Sequence, residues 1–190
     1  MRLPRPLADE YEATSTRLGS GSFSSVIKAM HKPTSSAVAI KVIDKSRLLT
    51  LEARNMPQRE IDMLRRMGRH QHAVFLIKSC EDADHVYLVL ELAERGSLLD
   101  VICSHPFGVP LPQVQRIRRE LLRAVAYVHS LGHVHLDVAP GNVLLGADGQ
   151  VKLADFGWSN FLISNSNDVR DTFCGTLDYL APEMLTENHM

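Results

Sequence analysis

Apolar and polar positions change rhythm once along this chain. Between Tyr11 and Leu92, short β-branched and apolar runs are separated by turn residues. Arg17-Leu18 runs into Gly19-Ser20-Gly21-Ser22-Phe23-Ser24, and Ser25 to Ala29 runs out of it, which predicts a hairpin. Ala37 to Ile43 predicts a third strand, and Val74 to Ile77 and Val86 to Leu90 two more. One helix interrupts them, over Gln58 to Met67, with Ile61, Leu64 and Met67 on one face.

Beyond Gly96 the period lengthens. Ser97 to Cys103 predicts a short helix and Gln113 to Leu131 a long one. In the long helix Val114, Ile117, Leu121, Val125 and Val128 recur at helical steps, with Gly132 as the stop. Asp148-Gly149 between Val143-Leu144-Leu145 and Val151-Lys152-Leu153 signals a tight hairpin. The pattern divides the chain into a Pro-containing leader or disordered arm over 1–10, a β-rich lobe over 11–93 and a helical lobe over 94–190. A cleft between two such lobes is a natural ligand site.

Composition narrows the function classes. With 190 residues, 45% of them hydrophobic, there is material for a buried core. A formal net charge of −1 gives no pull toward nucleic acid or an anionic membrane, and no apolar run is long enough to span a bilayer. The start, Met1-Arg2-Leu3-Pro4-Arg5-Pro6, lacks the apolar stretch of a secretory signal. Cys80, Cys103 and Cys174 are odd in number and widely spaced, which suits reduced thiols in a cytoplasmic or nuclear setting. The close pairs His70/His72 and His133/His135 have no accompanying ligands at zinc spacing and read as structural.

Candidate chemistry sits in a few places. Glycines at 19 and 21 let backbone N–H groups come close to phosphate oxygens. Lys41 closes an apolar strand, where an unpaired ammonium is costly, so it needs an anion. Glu60, within the periodic helix, is favoured over Glu52, which precedes Pro57. Asp155, emerging from a strand end before Phe156-Gly157, can reach into the cleft. Leu90 to Ala93, after two strands and before Gly96-Ser97, has the position of a hinge.

The glycine-rich turn, Val38-Ala39-Ile40-Lys41, His135-Leu136-Asp137 with Asn142, Asp155-Phe156-Gly157 and Ala181-Pro182-Glu183 together resemble the protein-kinase motif set in order and spacing. The resemblance covers about Tyr11 to Glu187 and is nearest to the Aurora group. That group's activation segment is similar to Asp155-Phe156-Gly157-Trp158-Ser159 and Thr172-Phe173-Cys174-Gly175-Thr176-Leu177-Asp178-Tyr179-Leu180-Ala181-Pro182-Glu183-Met184.

The resemblance implies an α+β, two-lobed fold and Ser/Thr protein phosphorylation with ATP and Mg2+. Leu18, Gly19, Ser20, Gly21, Ser22, Phe23, Ser24, Val26, Ala39, Lys41, Leu90, Glu91, Ala93 and Leu144 would then contact the nucleotide. Glu60 would pair with Lys41, Asp137 would orient the substrate hydroxyl, and Asn142 and Asp155 would ligate the metal. Thr176 would approach Asp137, and Thr172 is the phosphorylation candidate. The partners implied are ATP, a protein bearing Ser or Thr and a regulatory protein, with no nucleic acid and no membrane.

Four departures matter. Ser24 holds the third glycine position, Leu136 replaces an arginine, Ala139 replaces a lysine, and Gly141 offers no substitute cation. The family's domain continues well beyond its Ala-Pro-Glu motif, so the expectation is a kinase domain truncated after it, with an incomplete helical lobe. These departures raise a competing expectation, a nucleotide-binding pseudokinase or dominant-negative binding module without turnover.

Overall fold

Tyr11–Ser20 (β1), Ser24–His31 (β2), Ser36–Asp44 (β3), Leu76–Glu81 (β4) and His85–Glu91 (β5) form one antiparallel sheet with spatial order β1-β2-β3-β5-β4. The computed structural model describes residues 3–5, 7–161 and 179. Its class is α+β, with the sheet in one lobe and helices dominating the other.

Strand β3 explains why its apolar run does not alternate: both faces are covered. Val38, Ile40 and Val42 pack with Tyr87 and Val89 on the outer face. Ile43, with Val86 and Leu88, joins the core on the opposite face. The outer cover corrects one expectation. The described residues 3–5 and 7–10 are not a disordered arm: Leu3 and Leu7 are buried in the outer cluster, and Leu7–Glu10 (α1) forms a single helical turn. Without them the outer face of β3 and β5 would lose its lid. Burying a leucine of this kind stabilises by roughly 1.5–3 kcal/mol.

The helix behind the sheet runs over Leu51–Met67 (α2), seven residues earlier than its periodicity indicates. Thr50 caps it, its hydroxyl accepting from the Ala53 N–H at 3.1 Å. Pro57 was expected to mark the boundary but lies inside the helix. An interior proline costs about 3 kcal/mol through a lost N–H and a ring clash. Here the ring is buried, on a face shared with Ala53, Glu60, Ile61 and Leu64, so packing offsets that cost.

The second lobe opens with Leu98–Ser104 (α3), capped by a reciprocal pair between Ser97 and Asp100. Leu111–Ser130 (α4) is its long helix. The buried stripe of α4 is Ile117, Glu120, Ala124 and Val128, not the expected all-aliphatic face, and Val114 is exposed. Glu120 occupies a core position because its carboxylate accepts the buried N–H of Val151 at 2.9 Å. Arg116 beside it donates to the Gly149 carbonyl at 2.7 Å.

These contacts hold the hairpin of Val143–Leu145 (β7) and Val151–Leu153 (β8), whose turn has Gly149 at φ +74°. His133–Val134 (β6) pairs with Asn160–Phe161 (β9). Val74 was expected in a strand of the sheet but instead donates to the Leu153 carbonyl at 2.9 Å, and Leu153 donates to His72 at 2.9 Å. An apolar run cannot reveal which backbone it will pair with. These bonds and the stack of His70 on Tyr127, 4.2 Å between ring centroids, join the lobes. The inner of the two apolar clusters runs through both.

Candidate active site

The site is assembled where the sheet, α2 and the end of β8 meet. Lys41 faces inward from β3 and is 8% exposed. Its Nζ lies 2.8 Å from both carboxylate oxygens of Glu60 and 2.9 Å from Asp155 Oδ1. The rival Glu52 is exposed in the first turn of α2, where the helix dipole suits a carboxylate. One ammonium is therefore shared by two carboxylates. Burial works against the Lys41 charge, but attraction to Glu60 and Asp155 outweighs it and drives the ammonium above its usual range. Glu60 is pushed up by burial, opposed by Lys41 and reinforced by Asp155. Burial also opposes the Asp155 charge, but Lys41 and the Gly157 N–H hold that carboxyl below the usual range.

Asp155 sits at φ +61° and Leu136 at φ +67°, both in the left-handed region. Non-glycine residues there carry backbone strain that the surroundings must hold in place. Between them lies His135, 2% exposed, its Nε2 3.0 Å from the Ala154 carbonyl and its Nδ1 accepting from the Asp137 N–H at 3.3 Å. These partners define a neutral ring protonated at Nε2. Burial keeps it neutral by pushing its pKa down. Phe156, fully buried, packs edge-on against it at 4.9 Å and belongs to the core that includes Ile61 and Leu64 of α2. His135 is thus a support under the loop.

Asn142 Nδ2 donates to the Asp137 carbonyl at 2.9 Å and to Asp137 Oδ2 at 2.8 Å. The Asn142 backbone carbonyl accepts from the Ala154 N–H at 2.9 Å. The loop and the β8 end are therefore stitched together through both backbone groups of Ala154, directly before Asp155. With Nδ2 occupied, Asn142 keeps its amide oxygen as an acceptor.

Lys41, Asn142 and Asp155 open onto a cavity of about 360 Å³ lined also by Leu18, Gly19, Ser20, Gly21, Ser24, Val26, Ala39, Leu90, Glu91, Ala93 and Leu144, whereas Asp137 and His135 are not among its lining residues. Glu60, Val74, Leu92, Gly141 and Ala154 line it too. Ser22 and Phe23 border a smaller neighbouring space of about 210 Å³ with Met56, Pro57 and Trp158. Sequence reasoning missed Val74, Gly141 and Ala154 as lining residues. Ala154 could have been found from its place directly before Asp155, whereas Val74 had no local signal. A larger cavity of about 550 Å³ lies between α2 and the β4–β5 edge, away from Asn142 and Asp155.

The cavity is apolar at the Leu90–Ala93 end and charged at the Lys41–Asp155 end. Among the described residues lining it, Lys41 is the only cation, facing Glu60 and Asp155. The oxygens of Asn142 and Asp155 suit a hard divalent cation such as Mg2+, which takes few protein ligands and completes its shell with phosphate and water. The arrangement can therefore accept a flat apolar group at one end and metal-bound phosphates at the other. Thr172, Thr176, Cys174 and Ala181-Pro182-Glu183 lie outside the described residues.

This two-lobed fold with a charged interlobe cleft is that of a protein kinase. The chain belongs to the protein kinase domain family, whose sequence model matches residues 12–190. Among its relatives it is 38% identical over 176 residues to an Aurora kinase of Schizosaccharomyces pombe, covering 88% of this chain and 46% of that protein. It is 32% identical over 171 residues to an Aurora kinase of Encephalitozoon cuniculi, covering 90% and 61%. It is 36% identical over 168 residues to the serine/threonine-protein kinase Aurora-1 of Arabidopsis thaliana, covering 88% and 55%. The chain thus spans about half the length of the curated relatives it matches.

Proposed function

We propose that this chain binds ATP with Mg2+ and transfers the terminal phosphoryl group to Ser or Thr of a protein. The observation that carries this reading is the single ammonium of Lys41 held between Glu60 and Asp155, at 2.8 and 2.9 Å, at the charged end of a cleft with an apolar far end. In this reading Val26, Ala39 and Leu144 enclose the base, and the Glu91–Ala93 backbone pairs with its edge. Gly19 and Gly21 let the backbone of the turn come close to the phosphates, with the Gly21 N–H itself donated to the Ser24 carbonyl at 2.8 Å, and Lys41 orients the phosphates. Mg2+, when bound, supplies charge compensation on the phosphates, with Asn142 and Asp155 as its protein ligands. Asp137, fixed by Asn142, accepts or orients the attacking hydroxyl. Thr176 aids that hydroxyl's placement, and Thr172 is a modification site. The setting is cytoplasmic or nuclear, with a regulatory protein as further partner.

A second reading rests on Ala139, which is buried and lacks the cation that a developing phosphate charge calls for. Losing one such donor slows transfer by on the order of a hundred- to a thousand-fold. A chain that binds ATP with negligible turnover is the limiting case.

Incorporation of labelled phosphate from Mg-ATP into a basic Ser/Thr peptide decides between them, with Asp155→Ala as control. Transfer above the control supports the enzyme. Transfer equal to the control, with ATP still raising the melting temperature, supports the binding module.

A further inference from the structure

Strand β8 carries a lysine in its middle, between two fully buried neighbours, Val151 and Leu153. The Lys152 side chain is only 9% exposed, and such a lysine requires a partner. Its Nζ lies 2.7 Å from Glu91 Oε1. Among the described residues Lys152 is the only ion-pair partner of Glu91, whose Oε2 is buried with no hydrogen bond. The position of Glu91 therefore depends on Lys152.

Glu91 is the last residue of β5 and donates its N–H to the Phe75 carbonyl at 3.1 Å. With that amide taken, the backbone group it can offer the cavity is its carbonyl. Lys152 stands on the strand that delivers Asp155 three residues later. Backbone bonds already join Leu153 to His72 and Val74, and Phe75 to Glu91. The Lys152–Glu91 pair closes this path into a ring that links the apolar end of the cavity to its charged end.

We propose that Lys152 is a positioning residue for the nucleotide base, acting through Glu91 to hold the hinge carbonyl at a set place relative to Asp155. This rests on the nucleotide-binding reading above and deepens it to base selectivity. A fixed carbonyl accepts a hydrogen bond from an exocyclic amino group and repels a keto oxygen at the same place. It therefore favours adenine over guanine, and a loosened carbonyl loses that preference.

The test is titration calorimetry of the full chain with Mg-ATP and Mg-GTP, for the parent, Lys152→Met, Lys152→Arg and the double variant Glu91→Gln/Lys152→Met. The double variant leaves no unpaired buried charge and so keeps a folded comparison. Loss of one well-placed hydrogen bond predicts ATP binding weaker by about three- to tenfold in Lys152→Met and in the double variant. GTP binding is unchanged or tighter as the repulsion relaxes, so the ATP preference narrows by at least the same factor, and Lys152→Arg retains it. An ATP-to-GTP ratio equal to the parent's in both variants overturns the proposal, whatever their melting temperatures. A parent that binds no ATP removes the nucleotide reading and this inference with it, whereas a binding parent with an unchanged ratio in the variants removes only the inference.

Discussion

The Lys41 ammonium and the Asp155 carboxylate, 114 residues apart in sequence, meet at 2.9 Å. The same Nζ holds Glu60, so β3, α2 and the end of β8 converge on one cation. This contact ties the two lobes together at the point where the phosphates are expected.

Removing that cation should be more damaging than removing either carboxylate. Lys41→Met leaves Glu60, with a side chain 3% exposed, unpaired beside Asp155. Breaking a buried pair in this way costs about 3–5 kcal/mol. Glu60→Gln leaves Lys41 paired with Asp155 and should cost less. The double variant Lys41→Met/Glu60→Gln should lose less than the sum of the two, by about 0.5–3 kcal/mol. Urea unfolding of the three variants checks this, and strict additivity would mean that the residues are not coupled.

Acid sensitivity should have a contribution from His70. Burial, with help from His72 and Lys152, holds its imidazole below the ordinary 6.5. The folded state therefore binds fewer protons than the unfolded one. The stabilising contribution is complete above 6.5 and is lost as the pH falls through the depressed folded value. His70→Phe keeps a ring on Tyr127 but cannot titrate. Its melting temperature should fall less steeply than the parent's between about pH 7 and 5. His135, also pushed down by burial, maintains a residual slope. Parallel profiles for variant and parent would remove His70 from this account.

Restoring a cation to the catalytic loop should raise turnover. Ala139→Lys would place a cation two residues past Asp137, and an effect on phosphoryl transfer would belong to the transition state rather than to ATP binding. The expected result is kcat higher by on the order of tenfold or more with KM for ATP little changed. A change in KM alone would place the lysine elsewhere.

The leader should prove to be part of the fold. Leu7 is fully buried against the outer face of the sheet. Leu7→Ala is expected to lower unfolding free energy by about 2–5 kcal/mol in a denaturant titration. No measurable loss would indicate that the outer face tolerates uncovering.

Much of the architecture was legible in the residues. The hairpin at Asp148-Gly149 appears where its turn signal stands, because a two-fold apolar rhythm around Asp-Gly is a local instruction. Long helix α4 was likewise found within two residues at its start. Its buried face was misjudged because Glu120 enters the core to accept the Val151 N–H, a partner that arrives from 31 residues away. The start of α2 was misplaced because Pro57 ordinarily ends a helix, and only the burial of its ring makes it tolerable there. Leu3 and Leu7 looked like residues of a tail, since four apolar side chains among prolines carry no periodicity.

Sequence by itself determined the order of the elements, the turn chemistry and the set of residues that define the kinase family. These depend on interactions among neighbours a few positions apart, which a linear pattern records directly. Tertiary structure alone decided that Asp155 joins the expected Glu60 on Lys41, that Lys152 answers Glu91, and that Val74 belongs to the lobe junction. Burial removes water as the alternative partner for each polar group. The groups that pair are then those that packing brings together, however far apart they lie along the chain.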